Sequence, residues 1–210
     1  MGAGGNSVLL STSESNVLVD CGFSLKKTEA RLDKLSVNPT DIDAILVTHH
    51  HSDHSRSAKR AARKWGARLI SNAETAKRMQ WDDSEDLLVF SMLERIDAGV
   101  DMSLLTIPVP HDDAENVAVI ACDDKGGRAA IVTDLGEVTA ELSSHLRKCD
   151  HISIESNYDH DRLMRGNYPD SLKRRITGRG GHLSNSQTAS ALSEIVHPGL
   201  SSICLLYTSP

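Results

Sequence analysis

The sequence predicts an α/β fold, with helices outside sheets that are mostly antiparallel or mixed. Three observations predict it. The 210 residues suit one domain, or two intimately packed halves, with room for a substantial core. Short apolar runs of strand character alternate with helix-like stretches throughout. No internal repeat and no low-complexity linker divides the chain. Aromatics make up only 3% of the residues, so the core must rest on Leu, Ile, Val and Ala.

The opening SVLLSTSESNVLVDCG has two apolar runs, 8–10 and 17–19, split by a Ser/Thr/Asn-rich turn, and reads as two strands. A helix is expected from Ser24 to Leu35, with Leu25, Ala30, Leu32 and Leu35 as its buried stripe. After the turn at Pro39, AILVT (44–48) reads as a buried strand, 56–65 as a helix, 67–70 as a strand and 72–79 as a helix capped by Asn72. DLLVF, DMSLLTIPVP, NVAVIAC and RAAIVTD are strands, and Gly126-Gly127 marks a hairpin turn. TAELSSHL (139–146) is a helix and HISIES (151–156) a strand. YPDSLKRRI and SNSQTASALSEIV are helices, the second starting near Ser184 or Asn185. A last strand starts at about Ile203, and the closing LLYTSP looks like translated adapter sequence. One domain of two pseudo-symmetric halves is expected over 1–203, with an incomplete last strand and a non-native tail over 204–210.

Composition narrows the function. No run of 18 apolar residues appears, so no membrane span is expected. The N-terminus lacks a charged segment followed by an apolar one, and Asn6 stands where a myristoylation pattern wants Ser or Thr. Cys21, Cys122, Cys149 and Cys204 form no CxxC pair and read as reduced thiols in a cytoplasmic protein. The net charge of −6 argues against a surface that coats nucleic acid generally. Basic residues nevertheless cluster in two places. Arg56, Lys59, Arg60, Arg63, Lys64 and Arg68 form one run; Arg162, Arg165, Lys173, Arg174, Arg175 and Arg179 form the other. Each adjoins a histidine motif, which favours phosphate binding over a solvated helix face.

THHHSDHS (48–55) follows the strand AILVT directly. A low-complexity metal-scavenging tract would not need the spacing His49-x-His51-x-Asp53-His54. In a loop leaving a strand, His49 and His51 can converge on one ion, and Asp53 and His54, a turn later, on a second. GRGGHLSN places His182 after a glycine-rich loop and before a helix N-terminus, an arrangement suited to an anion. His145, His151, His160 and His197 have no motif around them and read as surface or packing residues.

HxHxDH after a strand resembles the metallo-β-lactamase superfamily. Asp20 in VLVDCG, His111 in VPHDD and Asp134 in IVTDLG match its further motifs in order. FSLKKTEARL, ESNYD, GNYPDSLKRRI and GHLSN, with the histidine motif, resemble its YycJ/WalJ/VicX-like branch across essentially the whole chain. The resemblance implies an αββα sandwich and two divalent ions, Zn or Mn. It implies that His49, His51 and His111 hold one ion, Asp53 and His54 the other, and that Asp134 bridges the two. Asp20 would orient the ligand loop, and Asp53 could also take a proton from the bridging water. His182 would assist at the scissile phosphate or leaving group. Arg174 and Arg175 of the second basic run would hold flanking phosphates; Asn185 could touch phosphate too, though capping its helix is the favoured role. The implied activity is phosphodiester hydrolysis, as a 5′-to-3′ DNA exonuclease, with DNA as the partner. The alternatives are a hydrolase of small esters, lactones or cyclic phosphodiesters, and an inactive metal-binding fragment. Three departures from the family pattern stand out. MGAGGNS starts within the turn that follows the family's extra opening strand, so an edge strand is expected to be absent. Tyr158 replaces a family histidine, and the fifth-motif histidine of a late strand has no counterpart after HPGLSSIC, so the second metal site is expected to lack a ligand.

Overall fold

The computed structural model describes residues 4–81, 86–112 and 114–207. The chain divides into two compact units: residues 1–106 with 121–126, and residues 107–120 with 127–210.

The first unit opens with the antiparallel pair β1 (Val8–Ser11) and β2 (Asn16–Val19). Three further strands follow in parallel: β3 (Ala44–Leu46), β4 (Arg68–Asn72) and β5 (Leu87–Phe90). The sheet order is β1-β2-β3-β4-β5. Between the strands run α1 (Leu25–Lys34), α2 (Ser52–Ser55), α3 (Ala58–Trp65) and α4 (Ala73–Arg78). Strand crossovers through helices produce this parallel pairing, so the sheet is mixed but mainly parallel. Leu18, Ile45, Val47 and Leu69 pack with Ala58, Ala61, Ala62 and Trp65 of α3 in the unit's core. Strand β6 (Arg95–Asp97) pairs antiparallel with the opening of β7 (Met102–His111), also within this unit.

Three expectations shift here. The stripe of α1 is Leu25, Thr28 and Leu32; Ala30 and Leu35 are exposed. Leu35 falls outside the face because it caps the helix, and Ser36 turns the chain away at φ 58°. The strand expected to reach Thr48 stops at Leu46. The helix expected over 56–65 begins at Ala58, and a separate short turn, α2, precedes it and carries Asp53 and His54.

In the second unit the strands follow the order β11-β10-β9-β8-β7. They are β11 (Ser202–Leu206), β10 (His151–Glu155), β9 (Arg128–Val132), β8 (Ala114–Asp123, to Ile120 in this unit) and the end of β7. Both β9 and β11 run parallel to β10. Helices α5 (Ala140–Leu146), α6 (His160–Arg165), α7 (Asp170–Thr177) and α8 (Asn185–Ile195) complete it. Val117, Ile120, Ile131, Val132, Leu142, Leu146, Ile152 and Ile154 are buried, an aliphatic core as the composition required. Among the described residues no helix is long and apolar enough to cross a membrane.

Candidate metal centre

Strand ends carry most of the chemistry. In the first unit, β2 and β3 run parallel and end side by side, delivering Asp20 and Thr48–His49 to one edge of the sheet. Asp20 takes a left-handed backbone, φ 66°, a conformation that costs a non-glycine residue energy and persists only where its surroundings enforce it. The Asp20 carboxylate is buried and accepts from the Thr48 amide at 2.9 Å and the Thr48 hydroxyl at 3.0 Å. It also lies 2.6 Å from His54 Nδ1.

These contacts fix ring protons by elimination. A carboxylate only accepts, so His54 Nδ1 carries its proton toward Asp20 and Nε2 keeps a lone pair. The Thr48 hydroxyl proton points to Asp20. His49 Nδ1, 3.0 Å from that hydroxyl, therefore donates to its oxygen, and His49 Nε2 also keeps a lone pair. His51 Nδ1 stands 2.9 Å from His49 Nε2. Two ring nitrogens at that separation must share a proton, or offer both lone pairs to a cation that replaces it. Buried imidazoles oriented by outer partners are the usual dress of metal-binding histidine.

Asn6 is a residue the sequence reading left without a role. Its side-chain amide donates to His54 Nε2 at 2.8 Å and to Asp53 Oδ2 at 3.2 Å. Its backbone N–H donates to the Asp53 carbonyl at 2.6 Å. Asp53 is the more open of the pair, with 43% of its side chain exposed. Gly22 lies so close beneath α2 that a Cβ would sit 1.5 Å from the Asp53 carbonyl oxygen.

The second unit builds its own donor group. His111 ends β7, and its Nδ1 donates to the Gly181 carbonyl at 3.1 Å, leaving Nε2 as the lone-pair nitrogen. Asp134 follows β9 and, like Asp20, is held left-handed, at φ 52°. The Asn116 amide donates to the Thr133 and Asp134 carbonyls, and the Leu135 N–H donates to Glu155 Oε2 at 3.0 Å, so both sides of the strained residue are pinned. His182 Nδ1 donates to Glu155 Oε1 at 2.6 Å and lies 3.5 Å from Asp134 Oδ1. Burial pulls the His182 imidazolium down, but the Glu155 hydrogen bond and the Glu155, Asp134 and Asp112 carboxylates outweigh it, so its pKa is raised. Ligand atoms of His111, Asp134 and His182 all lie within 4.8 Å of one another. Two oriented imidazoles and a carboxylate at that spacing suit a borderline divalent ion such as zinc. Fully buried Glu155 is the second residue without an assigned role, and it both sets His182 and secures the Asp134 loop.

Of the residues expected near substrate, Arg175 forms a two-pronged ion pair with Asp112, at 2.8 and 3.2 Å. Arg174 lies beside it on the same helix. The Asn185 side-chain oxygen accepts from Ser156 at 2.8 Å, and the helix cap is Ser184, whose capping box with Gln187 settles the choice left open between them. Tyr158 is nearly buried and bridges Ser184, and burial, then the Glu155 charge, raises its pKa. His197 accepts from the Gly199 N–H and donates to the Cys149 carbonyl, a packing role.

Comparison with known proteins gives the family and the fold. The profile of the Metallo-beta-lactamase superfamily matches residues 2–200. The exodeoxyribonuclease YycJ of Bacillus anthracis is 32% identical over 217 residues, covering 99% of this chain and 80% of the relative. The exodeoxyribonuclease WalJ of Streptococcus pneumoniae is 36% identical over 198 residues, covering 91% and 72%. Among solved structures, the metallo-beta-lactamase fold protein YhfI from Bacillus subtilis superposes with a TM-score of 0.71 at 16% identity, covering 97% and 78%. The short form of human tRNase Z superposes at 0.69 with 15% identity, covering 96% and 84%. At those identities the likeness shows the fold, and that fold is the one the motifs implied.

Proposed function

The chain belongs to the metallo-β-lactamase superfamily, in its YycJ-like branch, and from that premise we propose that this metal-dependent hydrolase cleaves the phosphodiester bonds of DNA from the 5′ end. The observation that carries the reading is its identity, along nine-tenths or more of its length, to relatives named exodeoxyribonucleases. In this reading the protein works in the cytoplasm.

The assigned ligands are His49, His51 and His111 for one Zn or Mn ion, Asp53 and His54 for another, and Asp134 for both. Divalent ions held there would supply an activated water and neutralise charge on the phosphate. The chain's own groups do the rest. Asp20 and Thr48 keep the His49 and His54 lone pairs turned outward, and Asp53 is available to accept a proton. Glu155 fixes the Nδ1 proton of His182, so Nε2 is the atom that exchanges a proton with the leaving oxygen. Arg174, Arg175 and the Asn185 amide are assigned to flanking phosphates, Arg175 by exchanging Asp112 for substrate.

End-labelled single- and double-stranded DNA, incubated with Mn²⁺ or Zn²⁺, tests the reading. Progressive loss of nucleotides from the 5′ end is expected, abolished in His111→Ala. Hydrolysis confined to small esters, lactones or cyclic diesters would overturn the DNA assignment while leaving the hydrolase.

A further inference from the structure

We propose that the cationic face of α1 is a track for the nucleic-acid backbone, gripping phosphates away from the bond that is cut; the proposal rests on the nuclease reading. Neither basic run noted in the sequence includes this helix.

Lys26, Lys27, Arg31 and Lys34 line a single concavity of about 540 Å³. Their spacing puts them on one face, since residues three and four apart are neighbours on a helix. All four are exposed, and none forms an ion pair among the described residues. The helix also carries two acids, Glu29 and the exposed Asp33, and among the described residues neither forms an ion pair with these four cations. Glu29 is taken by the Lys64 ammonium at 2.7 Å and by the Trp65 indole N–H at 3.2 Å. The Lys64 hydrogen bond is the main reason its carboxyl lies below the usual range. Arg31 is already placed, its guanidinium stacked 4.0 Å over the Phe23 ring and one N–H donating to the Lys27 carbonyl.

A second hollow of about 310 Å³ continues from Arg31 and Lys34 over Leu9, Leu18 and Leu35. The two hollows share Arg31 and Lys34, so the cations line one continuous path suited to a phosphate backbone. The position along the chain agrees. Gly22 is locked against Asp53, the Cys21 N–H donates to the His54 carbonyl at 2.7 Å, and α1 begins three residues after Gly22. Its 10 residues extend about 15 Å, roughly four phosphate spacings along one strand.

The test is the salt dependence of binding. Wild type and the triple variant Lys26→Gln/Lys27→Gln/Lys34→Gln are titrated, metal-loaded, into a fluorescent duplex with phosphorothioate linkages that resist cleavage. Arg31 is spared because it packs on Phe23. The triple variant should bind about tenfold more weakly near 0.1 M salt, and its log–log salt slope should flatten by roughly two to three. Should the triple variant melt early, each single Lys→Gln variant should still flatten the slope by about 0.9. Lys→Arg at the three positions should restore affinity. DNA binding by wild type with an unchanged slope in the Gln variants overturns the track and leaves the nuclease reading standing. Wild type that ignores DNA but binds poly-glutamate overturns both, and assigns the face to an acidic polypeptide.

Discussion

Asp20 collects the Thr48 amide, the Thr48 hydroxyl and the His54 Nδ1 proton on one buried carboxylate. Asp20→Asn keeps the shape but turns an N–H₂ toward one of these donors. Metal binding should weaken by about 10- to 100-fold, the usual effect of losing such an outer partner, and equilibrium dialysis against Zn²⁺ reads it directly. Wild-type affinity in this variant would remove Asp20 from the site. The neighbouring Cys21 gives a pH prediction. Burial, with a smaller push from the Asp20 charge and against the Thr28 hydrogen bond, raises its thiol pKa from 9.0 to about 11. The unfolded thiol ionises first, so its contribution to stability is intact below pH 9 and lost as pH rises toward 11. Two pKa units correspond to about 3 kcal/mol, so denaturant titrations should find stability falling by at most that over this range. Cys21→Ala should show a shallower fall; an identical fall would exclude the thiol. The four candidate ligands of THHHSDHS could be read together because they fall within six positions, His49 to His54. Asn6 could not, since its partners Asp53 and His54 lie 47 and 48 residues away, and Glu155 sits 27 residues from His182.

Elements were legible where their signals are local. Asn72 caps α4, its side-chain oxygen accepting the Thr75 N–H at 2.7 Å, as the sequence suggests. Ser184 rather than Asn185 caps α8 because only Ser184 has a glutamine three residues on to answer its N–H. Ser184→Ala should cost about 1 kcal/mol in thermal or urea unfolding, and no change would mean that the box contributes nothing to the fold. Strand β6 and helix α6 went unread because three and six residues are too few to display a period. The close approach of Gly22 to α2 was equally hidden, for a glycine in a loop does not announce what lies against it. Gly22→Ala must displace backbone rather than a flexible side chain. It should therefore lower the melting temperature and weaken Zn²⁺ binding together; a variant with native metal affinity would show that α2 adjusts freely.

For the whole molecule, alternation of strands and helices gave the fold class, but not the balance of pairing directions. The sheets are mixed, one of the two arrangements expected, and the strands linked through helices are the parallel ones. Connection lengths held that information, because a parallel neighbour needs a crossover of a dozen or more residues. The donor sets assigned to the two ions yield the last prediction. Under the proposed assignment one ion would take three imidazoles, from His49, His51 and His111, in addition to Asp134. The other would take Asp53, His54 and the shared Asp134, and Asn6 already donates to both of the first two. The two ions should therefore differ, one bound tightly and the other at least about tenfold more weakly, a gap of about 1.4 kcal/mol. Isothermal titration of the chelator-stripped protein with Zn²⁺ should resolve two steps, and the melting temperature should rise mainly across the first. Asn6→Ala should leave the first step in place and alter the second. Two equally tight ions would mean that a donor from elsewhere completes the Asp53–His54 site, and would overturn this assignment.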